Sequence, residues 1–136
     1  DMRFFMAFTA LGILNVNTTE GLNPKSKLPQ GEVGHLRMNL EAWKVLVPDR
    51  DESSLDRYFT RIANTRHDIA HLSREHHEVI RNDRDKGRAM MQLVSIARSR
   101  LFEHMGLPSA QVNSYLEVMA TKLRGRFHEV PDELFL

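Results

Sequence analysis

The chain has 136 residues, of which 41% are hydrophobic and 27% are charged, a composition typical of one globular domain. It contains no cysteine, which excludes a disulfide framework, a thiolate metal site and a cysteine nucleophile. Its 19 Lys and Arg against 18 Asp and Glu give a formal charge of +1, so net charge alone does not indicate a nucleic-acid partner.

The most apolar stretch, residues 4–16, has about two-thirds of the length that a membrane-spanning helix needs. No small-residue cleavage site of a secretory signal follows it. We therefore expect a cytoplasmic location without membrane attachment. Residues 1–136 are expected to form a single helical domain. Because the first residue is Asp1 rather than Met, the sequence leaves open that this domain is the C-terminal part of a longer chain with a sensor or regulatory domain.

Helical periodicity dominates the sequence and no long segment alternates with a period of two, so the fold is predicted to be all-α. A first helix presents an apolar face between Met2 and Ile13, and a loop rich in Gly and Pro follows over 17–32. A second helix is predicted from Glu32 to Val47, where Pro48 stops it. The apolar stripe of this helix comprises Val33, Leu36, Leu40, Trp43 and Val47.

A third helix is predicted from an N-cap at Ser53 or Ser54 to about Leu72. The polar stretch 73–84 that follows is predicted to be a loop or a frayed end. The apolar face of the third helix comprises Leu55, Tyr58, Phe59, Ile62, Ile69 and Leu72.

A fourth helix spans about Asp85 to Met105 and is terminated by Gly106. Ser109 caps a fifth helix, which is predicted to end at Gly125. The face of the fourth helix comprises Met90, Leu93, Ala97 and Leu101. The apolar residues of the tail predict that it docks on the domain, so the sequence indicates an up-and-down bundle of four to five helices.

Arg66 interrupts the apolar pattern of the third helix. It follows Ile62 by four residues and precedes Ile69 by three, so an ideal helix places its guanidinium on the apolar stripe. Arginine is almost never fully buried unless it is paired. Either an acidic neighbour compensates Arg66 or its stem reaches water, or else a cleft or subunit interface holds it to meet phosphate.

The basic character of the chain is concentrated around this position. Residues 57–88 contain eight Arg and Lys but five Asp and Glu. Four of the seven histidines fall between His67 and His77. Such a run is typical of a solvated helix face and is also suited to binding RNA. The candidate RNA-binding residues are Arg61, Arg74, Arg81, Arg84 and Arg88.

The segment Asn64-Thr65-Arg66-His67-Asp68-Ile69-Ala70-His71 resembles the signature of the HEPN family. In that family an Arg, a polar residue, three further positions and a His lie on one helix of an all-α bundle. A similar Arg-to-His spacing occurs at Arg61 to His67 and at Arg98 to His104, but neither has the Ile-Ala filling before the His. The segment from about Leu55 to Leu107 looks most like the ApeA-like HEPN domains at the C-terminus of larger prokaryotic defence proteins.

The resemblance implies a metal-independent ribonuclease without a cofactor, in which a homodimer combines the Arg and His of both subunits in one site. RNA supplies its own nucleophile, the 2′-OH, so cleavage needs a base, an acid and a cation near the phosphorane. We expect His71 to act as acid or base, Arg66 to stabilise the phosphate and His67 to orient them. Transfer RNA is an attractive substrate because its loops expose unpaired nucleotides, and the implied role is anti-phage defence or a toxin system.

Helix geometry adds a constraint to this assignment. Five residues turn an α-helix by about 500°, which leaves Arg66 and His71 about 140° apart and about 7.5 Å apart along the axis. One straight helix does not direct both side chains at one phosphate. Either the helix end is distorted or a second subunit supplies the complement, as a two-fold interface would.

Two other functions compete with the ribonuclease. His67 and His71 are spaced i, i+4 with Asp68, His76 and His77 nearby, which is compatible with a transition-metal site, although a zinc protease helix needs Glu after its first His. The second competitor is a non-catalytic helical module that binds RNA or a protein partner through its arginines.

Overall fold

The structure of the protein, a computed structural model, describes residues 31–72, 76 and 78–136 and the isolated positions 3, 6, 7, 9 and 10. All regular structure in these residues is helical, and no strand occurs among them. The elements are α1 (Gly31–Arg37), α2 (Leu40–Leu46), α3 (Glu52–His71), α4 (Asp83–His104), α5 (Ser109–Phe127) and a 3-10 turn over Asp132–Phe135. The predicted all-α bundle of four to five helices is confirmed.

The first predicted helix and the loop after it fall mostly outside the described residues. Positions 3, 6, 7, 9 and 10 are helical, as the apolar face between Met2 and Ile13 predicts. Of the loop predicted over 17–32, only Gly31 and Glu32 are described, and both already belong to α1.

The helix predicted from Glu32 to Val47 is divided into α1 and α2 around Asn39. The Asn39 side chain donates from Nδ2 to the carbonyl of His35 at 3.1 Å, and its Oδ1 accepts from the guanidinium of Arg100 on α4. A side chain that bonds to the backbone in this way competes with the helical hydrogen bonds. The prediction of one continuous helix is therefore wrong, while the predicted stop before Pro48 is confirmed.

α3 carries the centre of the core. Its residues Tyr58 and Phe59 pack around Trp43 of α2, with ring centroids 5.9 and 5.2 Å from the indole. The N-cap is Asp51 rather than either predicted serine, because its carboxylate accepts the Ser54 N–H at 2.7 Å. The same bond lowers the pKa of the Asp51 carboxyl. The fully buried large side chains are Trp43, Tyr58, Phe59, Phe135, Leu36, Leu55, Ile62, Ile80, Leu93 and Ile96.

α4 and α5 are antiparallel neighbours joined by a short turn in which Gly106 adopts a φ of 89°. Near the turn the rings of Phe102 and Tyr115 lie 5.1 Å apart, and at the far end Arg88 of α4 bonds to the carbonyl of Phe127 of α5. α4 begins at Asp83 after an Asn82 cap, two residues before the predicted start.

Arg88 is only 3% exposed and fastens the end of α5 to α4. Its Nη1 donates to Asp85 at 2.9 Å, its Nε donates to the carbonyl of His128 at 3.1 Å, and its Nη2 donates to the carbonyl of Phe127. α5 ends at Phe127, where these carbonyls are satisfied, and not at Gly125 as predicted.

Polar side chains occupy much of the buried face of α4. Gln92, one turn beyond Arg88, accepts a hydrogen bond from the Tyr58 hydroxyl at 2.6 Å, and burial raises the pKa of Tyr58, so this hydroxyl stays a donor. Leu101, predicted on the apolar stripe, is 44% exposed instead. The buried polar residues of α4 are Asp85, Arg88, Gln92, Ser95 and Ser99.

The predicted docking of the tail is confirmed, since Leu134 and Phe135 are buried. Arg57 of α3 donates from Nε to the Phe135 carbonyl at 2.6 Å, and the guanidinium of Arg50 lies 4.1 Å from the centre of the Phe135 ring. The tail thus packs against α3 and adds Phe135 to the core.

A bilayer-crossing helix is not found within the described part of the chain, where no helix combines sufficient length with sufficient apolar character.

We expect the Arg88→Ala substitution to lower the free energy of unfolding by about 3 kcal/mol or more, because it leaves the Asp85 carboxylate buried without its cation. Urea denaturation followed by circular dichroism measures this loss. The matched control is Arg84→Ala, at an exposed position of the same helix, which should change stability by less than about 0.5 kcal/mol.

The double variant Arg88→Ala with Asp85→Ala separates the charge from the packing. Removing both partners should restore part of the stability lost in Arg88→Ala, because no unpaired charge remains buried. A double variant as unstable as the sum of the two single variants would contradict this account.

Candidate functional site

The candidate site lies at the C-terminal end of α3 and in the connection to α4. Arg66, His67 and Asp68 are half-buried, whereas His71 is exposed in the last turn. His76 belongs to the connection and is half-buried. The structure therefore gathers one cation, one carboxylate and three imidazoles at a single end of the bundle.

Two hydrogen bonds fasten the connection to α3 just before this cluster. Asn64 donates from Nδ2 to the carbonyl of Glu78 at 3.0 Å. Thr65 is buried, and its hydroxyl oxygen accepts the Ile80 N–H at 2.8 Å while the hydroxyl itself donates to the carbonyl of Arg61 at 2.6 Å. Ile80 is itself part of the core. The connection is therefore attached to α3 at residues that lie just before His67 in the chain.

Three imidazole rings are in contact. The centroids of His67 and His71 lie 4.4 Å apart, as the i, i+4 spacing on one helix face predicts. The His76 ring meets His67 edge-to-face at 4.9 Å. His67 thus lies between the other two rings.

Asp68 orients the third imidazole. Its Oδ1 lies 2.6 Å from Nδ1 of His76, and the exposed fractions of the two side chains are 14% and 32%. A carboxylate accepts, so Nδ1 of His76 donates to it and a neutral ring keeps the lone pair on Nε2. The same arrangement fixes the histidine tautomer in hydrolase triads and in metal sites.

The end of α3 is not distorted between Arg66 and His71. The helix continues through His71, and the N–H of Leu72 then closes it on the carbonyls of Asp68 and Ile69. Leu72 has a left-handed backbone, with φ 49° and ψ 38°. Because the helix is regular, Arg66 and His71 still diverge by about 140° within one chain. Of the two alternatives that the sequence left open, helix distortion is therefore not observed.

The predicted RNA-binding arginines have different surroundings. Arg81 and Arg84 are exposed before and at the start of α4, next to the connection that carries His76. Arg61 is half-buried and donates to the carbonyl of Leu136 at 3.2 Å, so it also holds the tail. Arg74 lies outside the described residues.

Arg88 was predicted to contact RNA, and this prediction is wrong. Its guanidinium is buried and donates to Asp85 and to two main-chain carbonyls, so it cannot reach a phosphate at the surface. Sequence spacing does not distinguish such an arginine from an exposed one, because two of its three partners, the carbonyls of Phe127 and His128, come from the distant end of α5.

A metal centre is not evident in the part of the chain that the structure describes, where no three His, Asp or Glu side chains are placed to hold a metal ion. The His67 and His71 pair of the competing metal hypothesis is present, but its Asp68 bonds to His76 instead. His77, the further candidate ligand, lies outside the described residues.

Asp68 and His76 are the functional candidates that the sequence did not assign to catalysis. They are eight residues apart, and His76 lies beyond the end of α3 in a polar stretch without periodicity. The sequence feature that relates to this pair is Asn64-Thr65, because these two side chains bond the connection to α3. Neither bond can be deduced before the path of the connection is known.

Comparisons with protein-family models, with curated proteins and with solved structures each found no significant match to this chain.

We expect that the Asp68→Asn substitution no longer fixes the Nδ1–H tautomer of His76, because an amide is a weaker acceptor than a carboxylate. ¹⁵N NMR of labelled imidazoles measures this as a shift of neutral His76 from the Nδ1–H towards the Nε2–H tautomer. The matched control is Asp83→Asn at an exposed position, which should leave the His76 signals unchanged. Identical His76 spectra in the unmutated protein and in Asp68→Asn would contradict the orienting bond.

Proposed function

We propose that this chain is a metal-independent endoribonuclease of the HEPN type, which cleaves RNA by attack of the 2′-OH at a site shared by two copies of the chain. The observation that supports this most is the cluster of three contacting imidazoles at the end of α3, where the half-buried Arg66 directly precedes His67 in the chain. This is the set of groups that the reaction needs when no metal takes part.

The proton transfers are assigned to imidazoles. His71 is exposed at the surface, where an RNA strand can approach it, and it acts as acid or base. His76 supplies a second imidazole, since Asp68 holds Nδ1 and leaves Nε2 to accept a proton. One ring takes the proton of the 2′-OH while the other donates a proton to the 5′ leaving oxygen, and His67 contacts and orients both.

Stabilisation of the negative charge on the phosphorane is assigned to Arg66. A guanidinium donates two parallel hydrogen bonds to phosphate oxygens and keeps its charge throughout the reaction. Half-burial reduces the screening of this charge by water, which strengthens its effect on a nearby anion. Arg81 and Arg84, both exposed, add positive charge along the approach of the strand.

The direction of the side chains supports a homodimer. Arg66 and His71 diverge on a regular helix, so the Arg66 of one copy is proposed to act with the His71 of the other across a two-fold axis. A transfer RNA is the suggested substrate and prokaryotic defence or a toxin system the suggested role, both from the resemblance alone.

A non-catalytic RNA-binding module is the alternative function. Arg81 and Arg84 favour it, because both are exposed and neither forms an ion pair with a residue that the structure describes. Such a module binds RNA with strong salt dependence and leaves the strand intact.

The purified chain is expected to cleave a mixed RNA pool in EDTA and to leave 2′,3′-cyclic phosphate ends. His71→Ala and Arg66→Ala should each lower the rate by about 100-fold or more. The matched control is His104→Ala, in the second Arg-to-His pair of the chain, which should retain full activity. RNA that is bound but intact would contradict the proposal and support the binding module, and cleavage that EDTA abolishes would support a metal site.

Mixing the two inactive variants tests the shared site directly. Equilibrated Arg66→Ala and His71→Ala chains form some heterodimers in which one of the two composite sites holds an intact Arg66 and an intact His71. We expect this mixture to regain a measurable part of the activity, and a mixture of either variant with itself to regain none. A mixture that stays inactive, although exchange of subunits is verified by mass spectrometry, would contradict the shared site.

A further inference from the structure

A concave surface lies on the outside of the bundle between α4 and α5. This α4–α5 groove has a volume of about 560 Å³. It lies at the other end of α4 from the histidine cluster, because Arg98 in its lining is about 22 Å along the helix axis from Asp83, where α4 begins. Its apolar and charged lining residues are Arg98, Phe102, Tyr115, Val118, Met119 and Lys122.

The apolar part of the groove is formed by both helices. The rings of Phe102 and Tyr115 are in contact, with centroids 5.1 Å apart. Val118, one turn further along α5, is 52% exposed, and the half-buried Met119 next to it packs against the core. A single exposed valine is ordinary, but here Val118 extends an apolar surface that two aromatic rings begin. A continuous apolar patch of this kind marks an interaction site.

The charged residues in the lining are both cations. Arg98 precedes Phe102 by four residues, and Lys122 follows Val118 by four. Because α4 and α5 are antiparallel, both cations lie on the same side of the ring pair, away from the turn that joins the helices. Both are exposed, neither forms an ion pair with another described residue, and no Asp or Glu is among the described residues that line the groove.

Two other concave surfaces on the described part of the chain have a different charge balance. Four of the five arginines in their linings are ion-paired, and acidic residues belong to both linings. The two cations of the α4–α5 groove, by contrast, are available to an anionic partner.

The dimensions of the groove suit a helix. Tyr115 and Lys122 are seven residues apart, which is about 10 Å along α5 and about two helical turns. Two antiparallel helices leave between them a groove in which a third helix can lie. Such a helix directs apolar side chains at i, i+4 and i+7 into the groove.

Charge disfavours the other occupants of this groove. A second copy placed groove to groove would bring its own Arg98 and Lys122 towards the first pair, and like charges at an interface repel. Residues 11–30 of this chain contain two lysines and one glutamate, so they do not supply an acidic complement. An RNA strand would pair with the cations but would leave the exposed Val118 against a polar sugar-phosphate chain.

We propose that the α4–α5 groove binds an acidic amphipathic helix of a partner protein. Its apolar side chains pack on Phe102, Tyr115 and Val118, and its carboxylates pair with Arg98 and Lys122. Because both cations lie to one side of the ring pair, the acidic residues belong to one end of the bound helix. That end is the first turn, where the helix dipole favours negative charge. The groove does not depend on the ribonuclease activity.

A phage-displayed library of helical peptides, randomised on one face, is selected against the unmutated full chain. The enriched peptides are expected to carry apolar residues spaced i, i+4 and i+7, with Asp or Glu in the turn before them. The strongest binder is then synthesised with a fluorescent label, and replacing its acidic residues with Asn and Gln should weaken binding by about tenfold or more. A selection that enriches no peptide, or peptides without acidic residues, would overturn the proposal.

Variants of the chain locate the peptide. Arg98→Glu combined with Lys122→Glu should weaken binding of the acidic peptide by about tenfold or more, and a second selection against this double variant should enrich basic peptides instead. Val118→Asp should lower the affinity as well, because it places a charge on the apolar surface. The matched control is Arg124→Glu, an exposed cation of α5 outside the groove, which should bind as the unmutated chain does.

The substituted positions are exposed, so the variants are expected to fold, and melting curves verify this. Unchanged affinity in the folded double variant would overturn the proposal. Displacement of the peptide by single-stranded RNA would assign the groove to nucleic acid instead. A change of oligomeric state in Val118→Asp, measured by sedimentation, would assign it to a second copy. Either of these two results would also overturn the proposal.

Discussion

The buried guanidinium of Arg88 is the constraint on which the second half of the bundle depends. It is one cation in a nearly water-free position, and it satisfies Asp85 on its own helix and two carbonyls where α5 ends. One turn further along α4, Gln92 is held by Tyr58 of α3. Polar bonds therefore add to the apolar packing where α3, α4 and α5 meet. Because a buried polar group tolerates few geometries, they also limit the alternative packings of this bundle.

The sequence predicts those parts of the fold that depend on local chemistry. Periodicity and proline predict the extent of α3 and the stop before Pro48. The apolar pattern also predicts the burial of Trp43 and the docking of the tail. The break at Asn39 and the burial of Arg88 do not, because both depend on partners far along the chain. The charge of Arg88 predicts a position at the surface, and tertiary hydrogen bonds reverse that prediction.

The candidate site divides in the same way. The contact of His67 with His71 follows from a spacing of four residues on a helix, and the structure contains it. The bond between Asp68 and His76 depends on the path of the chain after α3, and Asn64 and Thr65 bond to the end of that connection at Glu78 and Ile80. Side chains that bond to the backbone of a loop thus decide which residues join the helical ones. Their effect becomes visible only once the loop is placed.

Leu72 has a further consequence for whatever surrounds His71. Its left-handed backbone turns the side chain outward, and 94% of it remains in water. Burying a leucine contributes about 1.5–3 kcal/mol, which corresponds to roughly a ten- to hundredfold change in an association constant. A protein surface that covers the exposed His71 imidazole would also bury the side chain of Leu72. A sugar-phosphate strand has little apolar surface against which this side chain can pack. Leu72 therefore favours contact with a protein surface beside the histidine cluster.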